Sequence, residues 1–355
     1  MAIAFHIDVT LQQLALRYFP MLSVENNELV RKELETLRPT ENPAFLGRNS
    51  MAPDFKGIVD WINSLPLTLE QLRGKVILVD FWTYSCINCV RTLPYLKKWY
   101  EAYKDKGFVI VGVHTPEFEF EKNKNNVQDA VNRFGITYPV GLDNNYKTWL
   151  NYNNHYWPAH YLIDQNGIVR QTHFGEGAYD QTENAIRILL GLAPEIEKAE
   201  HLAAKPQTPE IYLGSERGRA YSTEIKLIKN QIADYDFKEK LAADEIGLKG
   251  RWFADAQFIR SENDSAQLVL NFIANRVYLV LSSPAQKSIE ILLDGKPVPE
   301  KYHTADTNQE GKLKVHEARM YDILNLKGDN GRHTLTLTFP KDISAYAFTF
   351  GSGEK

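Results

Sequence analysis

An α/β domain followed by an all-β domain is predicted for this 355-residue chain, and three observations predict it. A continuous β-rich run, Val76-Ile77-Leu78-Val79-Asp80-Phe81-Trp82, passes through a few polar residues into a helical stretch. Strand and helix patterns then alternate as far as about residue 204. From about residue 205 the texture changes to short alternating strands between loops of Asn, Asp, Gly and Pro. The reading divides the chain into an N-terminal helical or linker segment (1–54), an α/β domain (55–204) and a β-sandwich or jelly roll (205–355).

Taken in order, Ser23 to Leu37 reads as a charged helix with Ser23 as cap, and Pro39, Pro43, Gly47 and Pro53 punctuate the loop after it. Val76–Trp82 carries apolar residues at odd and even positions, the pattern of a strand buried on both faces. A helix is expected from about Val90 to Lys104, a second buried strand from Phe108 to His114, and a helix from Asn125 to Phe134. Tyr161 to Asp164 and Ile168 to His173 flank Gln165-Asn166-Gly167, a hairpin signal, and Thr182 to Leu190 is the last helix of this part. Beyond Pro206 and Pro209, strands are expected at Arg251–Arg260, Gln267–Ile273, Arg276–Leu281, Ser288–Leu293, Thr334–Phe339 and Ala345–Phe350.

A formal charge of −4 speaks against a nucleic-acid or anionic-membrane partner. No stretch reaches the roughly 20 apolar residues of a membrane span, and the opening run is broken by His6, Asp8, Gln12, Gln13 and Arg17. On these residues alone a soluble chain without an export signal is expected.

The chemistry is concentrated in one place. The chain has 2 cysteines, and they stand together in Cys86-Ile87-Asn88-Cys89. A thiolate is the nucleophile of disulfide exchange, and a helix N-terminus stabilises it through unpaired N–H groups and the helix dipole. Cys86 falls at a strand-to-helix junction, and Cys89, one turn on, faces it. Half a zinc site and a pair of inert thiols are the other readings; neither further cysteines nor a nearby histidine pair supports the first. His114 and His160 raise a copper-site reading, which the spacing of the two cysteines disfavours. No cofactor is called for. Asp80, midway along an apolar strand, reads either as a satisfied core acid or as a proton acceptor for Cys89. Pro94 falls inside the following helix, and Pro158 follows Trp157 where a cis bond would set a tight turn.

Together, Asp80 in its strand, the Cys-x-x-Cys six residues later, the helix proline and the late Pro158 resemble thioredoxin. Val111-Gly112-Val113-His114 through Tyr138-Pro139-Val140-Gly141-Leu142-Asp143 adds a segment similar to the TlpA/ResA branch. Phe81-Trp82-Thr83-Tyr84-Ser85-Cys86-Ile87-Asn88-Cys89, followed by a β-rich domain, resembles the extracytoplasmic part of DipZ-type proteins. The likeness covers about residues 55 to 200 by motif and 205 to 355 by texture. It implies a thiol–disulfide oxidoreductase acting on protein disulfides, with Cys86 as nucleophile, Cys89 as resolving thiol, and Asp80 in proton transfer. It also implies that Trp157, Pro158, Tyr84 and Ser85 meet the substrate. A membrane electron-transfer partner related to CcdA, an extracytoplasmic location and a glycan ligand for the carbohydrate-binding-module-like β domain are implied as well, while the residues alone leave a cytoplasmic location open. The chain departs from thioredoxin in having Ser85 before the first cysteine, Ile87-Asn88 between the two, and no lysine on Phe108–His114 to partner Asp80.

Two other functions compete. A peroxiredoxin-like peroxide reductase fits the Tyr138 to Asp143 region but would need a Thr-x-x-Cys pattern that is missing. A binding protein would use the β domain to hold a glycan or a partner protein, with Trp252, Phe253, Tyr278 and Tyr302 stacking on sugar rings or simply filling the core.

Overall fold

The structure, a computed structural model, describes residues 50–194, 207–237, 240–329 and 331–351. The expected helix Ser23–Leu37 and most of the hinge before Pro209 lie outside them.

The first sheet has six strands in the order β1-β4-β3-β2-β5-β6. These are β1 (Trp61–Ile62), β2 (Val76–Trp82), β3 (Phe108–His114), β4 (Val140–Leu142), β5 (Ala159–Ile163) and β6 (Val169–Phe174). β2 lies between parallel β3 and antiparallel β5 and is buried along its whole length. That explains its apolar residues at odd and even positions: Val76, Leu78 and Trp82 pack on one face, and Ile77, Val79 and Phe81 on the other. The first face is covered by α1 (Ile87–Tyr103), α2 (Lys124–Phe134) and α4 (Tyr179–Leu189); a short helix, α3 (Lys147–Asn151), sends Trp149 to the second face. Cys89, Leu93, Leu96, Trp99 and Tyr103 form the buried stripe of α1 at spacings of three and four, with Pro94 on its exposed side. Helix α1 begins three residues before the expected Val90, because Cys86 caps it. The Trp149 to Tyr156 stretch, read only as aromatic and Asn-rich, contains the end of α3.

The second part is antiparallel throughout its strand ladders: 12 strands, β7 (Ile211–Tyr212) to β18 (Ser344–Gly351). Its hinge is β9 (Ile246–Ala254), which pairs with β11 (Ala266–Ile273) through Ile246–Lys249 and with β10 (Ile259–Ser261) through Trp252–Ala254. Gly250, at φ +83°, stands between the two pairings, and the left-handed backbone that lets the strand change partners suits glycine. The strands on both sides of this switch, including β12 (Arg276–Ser282), β13 (Lys287–Leu293) and β17 (Arg332–Phe339), close over one apolar core.

Most expected strands of this part are found within two residues of their bounds. The Arg251–Arg260 expectation divides instead into β9 and β10, since the Gln257 N–H bonds to the Asp255 carboxylate and the Asp255 N–H to the Phe258 carbonyl in a turn. One long strand, β16 (Arg319–Asn325), was not foreseen. Of the aromatics considered for sugar stacking, Trp252 is a core residue whose indole N–H donates to the Lys249 carbonyl at 3.0 Å, and Tyr278 is buried. The Trp252 side chain is spent on folding.

The two parts meet next to the end of β2. Phe118 and Phe120, in the loop after β3, place their rings 5.1 and 4.8 Å from Tyr346 of β18. The Tyr84 hydroxyl donates to the Ala318 carbonyl at 3.3 Å, and Arg91 of α1 donates to the Phe350 carbonyl at 3.1 Å. Glu117 accepts from Tyr212 and Arg217, both at 2.8 Å.

Candidate functional site

Strand β2 delivers the chain to Thr83-Tyr84-Ser85, and the turn to α1 follows at once. Cys86 is the N-cap, with extended backbone (φ −83°, ψ 116°), and its Sγ accepts the Cys89 backbone N–H at 3.3 Å. Capping groups normally are hydroxyls or carboxylates; here the cap is a sulfur, which receives an orphan N–H of the helix. Both thiols are free, Cys86 half-buried and Cys89 fully buried. Burial pushes the Cys89 thiol well up, and the hydrogen bond and charge of Cys86, then the charge of Asp80, push it the same way. The two sulfurs are therefore unequal: one accessible and supported by a helix terminus, one dry.

Asp80 is wholly buried on the same face of β2 as Val76 and Trp82. Its neighbour is not a lysine but His160 of β5, whose Nε2 lies 3.2 Å from Asp80 Oδ1. Sequence reading set this histidine aside. Tyr138 adds a buried hydroxyl, raised by burial first and then by the charges of Asp80 and Cys89.

A second buried acid was also missed. Glu121 Oε1 accepts the hydroxyls of Thr83 and Ser85, both at 2.5 Å, and its Oε2 accepts the backbone N–H of Glu117 at 2.6 Å and of Phe118 at 2.9 Å. Burial raises it to about 7, against the lowering effect of the Ser85 and Thr83 hydroxyls. Nothing local marks it: it is one of three acids in Glu117-Phe118-Glu119-Phe120-Glu121.

The residues expected to meet substrate divide into two kinds. The Tyr84 ring is buried, stacked on His114 at 5.6 Å, and Ser85 is occupied by Glu121. The Trp157–Pro158 peptide is cis. Trp157 and Cys86 both pack against the core on the first face, and the Trp157 indole N–H donates to the Thr115 carbonyl at 3.0 Å. His114, pushed down to about 3 by burial, is neutral.

Comparison with known proteins gives the family. Residues 48–187 match the Redoxin family, and residues 208–351 match the family described as thioredoxin like C-terminal domain. Protein DipZ of Mycobacterium tuberculosis is 39% identical over 330 residues, which is 88% of this chain and 44% of DipZ. The chain thus spans less than half the length of the DipZ relatives it matches. Thiol-disulfide oxidoreductase ResA of Bacillus anthracis is 29% identical over 136 residues, 38% of this chain and 75% of ResA. A solved structure of thiol:disulfide interchange protein DsbE from Chlorobium tepidum has 27% identity, covering 41% of this chain and 99% of its own, with a TM-score of 0.35. With a Redoxin domain around its cysteine pair and an all-β domain after it, the chain belongs to the thioredoxin-like proteins of thiol–disulfide oxidoreductase type, similar to DipZ and ResA.

Proposed function

We propose that the protein exchanges dithiol and disulfide with protein substrates, Cys86 attacking and Cys89 resolving. The observation that carries this reading is the inequality of the pair: a half-buried sulfur at a helix N-cap and a buried thiol one turn later, joined by the 3.3 Å contact. Cys86 as thiolate attacks a substrate disulfide, and one substrate sulfur leaves while the other stays bound in a mixed disulfide. Cys89 then loses its proton, attacks Cys86 Sγ and expels the second sulfur. The chain ends with a Cys86–Cys89 disulfide, and the substrate disulfide has gained two electrons.

In this scheme the backbone at Trp157 and Pro158 receives the substrate strand by β-pairing. Tyr84 and Ser85 serve it indirectly, by fixing the turn that presents Cys86. The β part, packed on the loop that holds Glu121, orients and steadies the redox part; the burial of Trp252 and Tyr278 favours this over a sugar platform made from them. Reduction by a membrane partner related to CcdA, outside the cytoplasm, goes with the likeness to DipZ-type proteins. No helix among the described residues is long and apolar enough to cross a membrane.

Trapping tests the assignment. Cys89→Ser should accumulate mixed disulfides with protein substrates and Cys86→Ser should not, and Cys86 should alkylate first in the reduced chain. The reverse pattern would assign the roles the other way.

A further inference from the structure

Four strands place Gly112, Asp80, His160 and His173 side by side. The register pairs Asp80 of β2 with Gly112 of β3 and with His160 of β5, and pairs His160 with His173 of β6. Side chains paired across a ladder point to the same face, and this face is the one on which Cys89 and α1 pack. Strand β6 is the edge of the sheet. The row therefore begins beneath the buried thiol and ends at the rim, where His173 is only half-buried.

The polar atoms along this row are left open. Both carboxylate oxygens of Asp80, Nε2 of His160 and Nε2 of His173 are buried and find no hydrogen-bond partner among the described residues. Buried polar groups without partners are rare and costly. Asp80 Oδ1 and His160 Nε2, 3.2 Å apart, satisfy each other as soon as one proton lies between them. The rings of His160 and His173 stand 6.1 Å apart, centre to centre, as neighbours along the row.

We propose that Asp80, His160 and His173 form a proton-transfer row that carries the Cys89 proton to the edge of the sheet. The proposal rests on the reading of Cys89 as the resolving thiol. In that step Cys89 S–H gives its proton to Asp80 as the thiolate forms and attacks Cys86 Sγ. The bond between Cys86 and the substrate sulfur breaks, and the departing substrate thiolate takes a proton from solvent. Asp80 returns its proton through His160 to His173, which releases it at the rim. His173 is held down to about 4, by burial first and then by His160, so it is neutral near pH 7 and has a nitrogen ready to accept. The groups facing the row are Cys89 from α1, Tyr138 from the segment before β4, and the backbone of Gly175 and Glu176 beside His173.

Two-phase kinetics with a chromogenic aromatic disulfide test it on the full chain. The first thiolate released reports attack by Cys86, and the second reports resolution. His173→Gln and His160→Gln should leave the first phase unchanged and slow the second about tenfold, a modest share of what general acid–base groups contribute. In His173→Ala, added imidazole should restore the second phase, which a merely structural role would not allow. His173, at the edge, keeps the test alive if the buried His160 variant fails to fold. An unchanged second phase in the His173 variants, while Asp80→Asn slows it, would overturn the row. A second phase surviving in Cys89→Ser would instead overturn the underlying reading of the resolving thiol.

Discussion

Glu121 is a wager between burial and hydrogen bonding, and its outcome can be read as stability. Four donors converge on the carboxylate, yet full burial raises it from 4.5 to about 7. A carboxyl whose folded pKa lies above its unfolded one makes the folded state the better proton binder. Its contribution to stability is then complete below the unfolded pKa and disappears as pH rises through the folded one, here between 4.5 and about 7. At about 1.4 kcal/mol per pH unit, wild type should lose about 2.5 kcal/mol between pH 5 and pH 8 from this group. Glu121→Gln isolates it. The amide oxygen can accept the Glu117 and Phe118 N–H groups, and its NH2 can donate to the hydroxyls of Thr83 and Ser85, which rotate to accept. Asp143, raised by burial to about 6, adds a slope of the same sign in both proteins, so it cancels in the comparison. Urea denaturation at the two pH values should show the variant gaining on wild type by about 2.5 kcal/mol as pH rises. Equal pH slopes in the two proteins would mean that the four donors keep Glu121 ionised throughout, and the argument from burial would fail.

Two more predictions test the packing around the site. A methyl group on Gly112 would lie 3.1 Å from Trp82 Nε1 and 3.3 Å from Tyr138 Cε2, so Gly112→Ala should cost about 1–3 kcal/mol by overpacking; a melting temperature equal to wild type would show that the neighbours yield freely. Phe118→Ala removes a 2%-exposed ring from the contact with Tyr346. It should cost about 3–5 kcal/mol in denaturant titration, and a loss under 1 kcal/mol would mean that this contact does not secure the two parts.

Legibility followed the physics of each element. Strands β2 and β3 could be read residue for residue, because burial on both faces fills odd and even positions alike with apolar residues. Strand β16 could not: Arg319 and Asp322 interrupt it, and their pairing with Asp306 and Arg276 is visible only in the fold. Strand β4 has 3 residues, too few to show a period. The cysteine pair was plain because its chemistry is local, needing only a strand, a turn and a helix. The partner of Asp80 was not. The parallel neighbour offers no lysine and no polar group, since the residue beside Asp80 on β3 is Gly112, and the polar one lies on antiparallel β5. Register between strands eighty residues apart is a tertiary fact.

The two buried acids have different masters. Asp80 sits in the central strand between Gly112 of β3 and His160 of β5, and its charge acts on Cys89. Glu121 sits in the loop that carries Phe118 and Phe120 to Tyr346, and it grips Ser85, next to Cys86. A disturbance at Phe118 therefore reaches the attacking thiol by a short route through Glu121 and Ser85, while the β part's tie to α1 beyond Cys89, from Arg91 to the Phe350 carbonyl, is left in place. If this separation is real, Phe118→Ala should alter the rate at which Cys86 is alkylated while leaving the second, resolving phase of disulfide exchange at its wild-type rate. A variant that slowed both phases alike would show the two acids answering to one global loosening, and the β part would then act on the site only through stability.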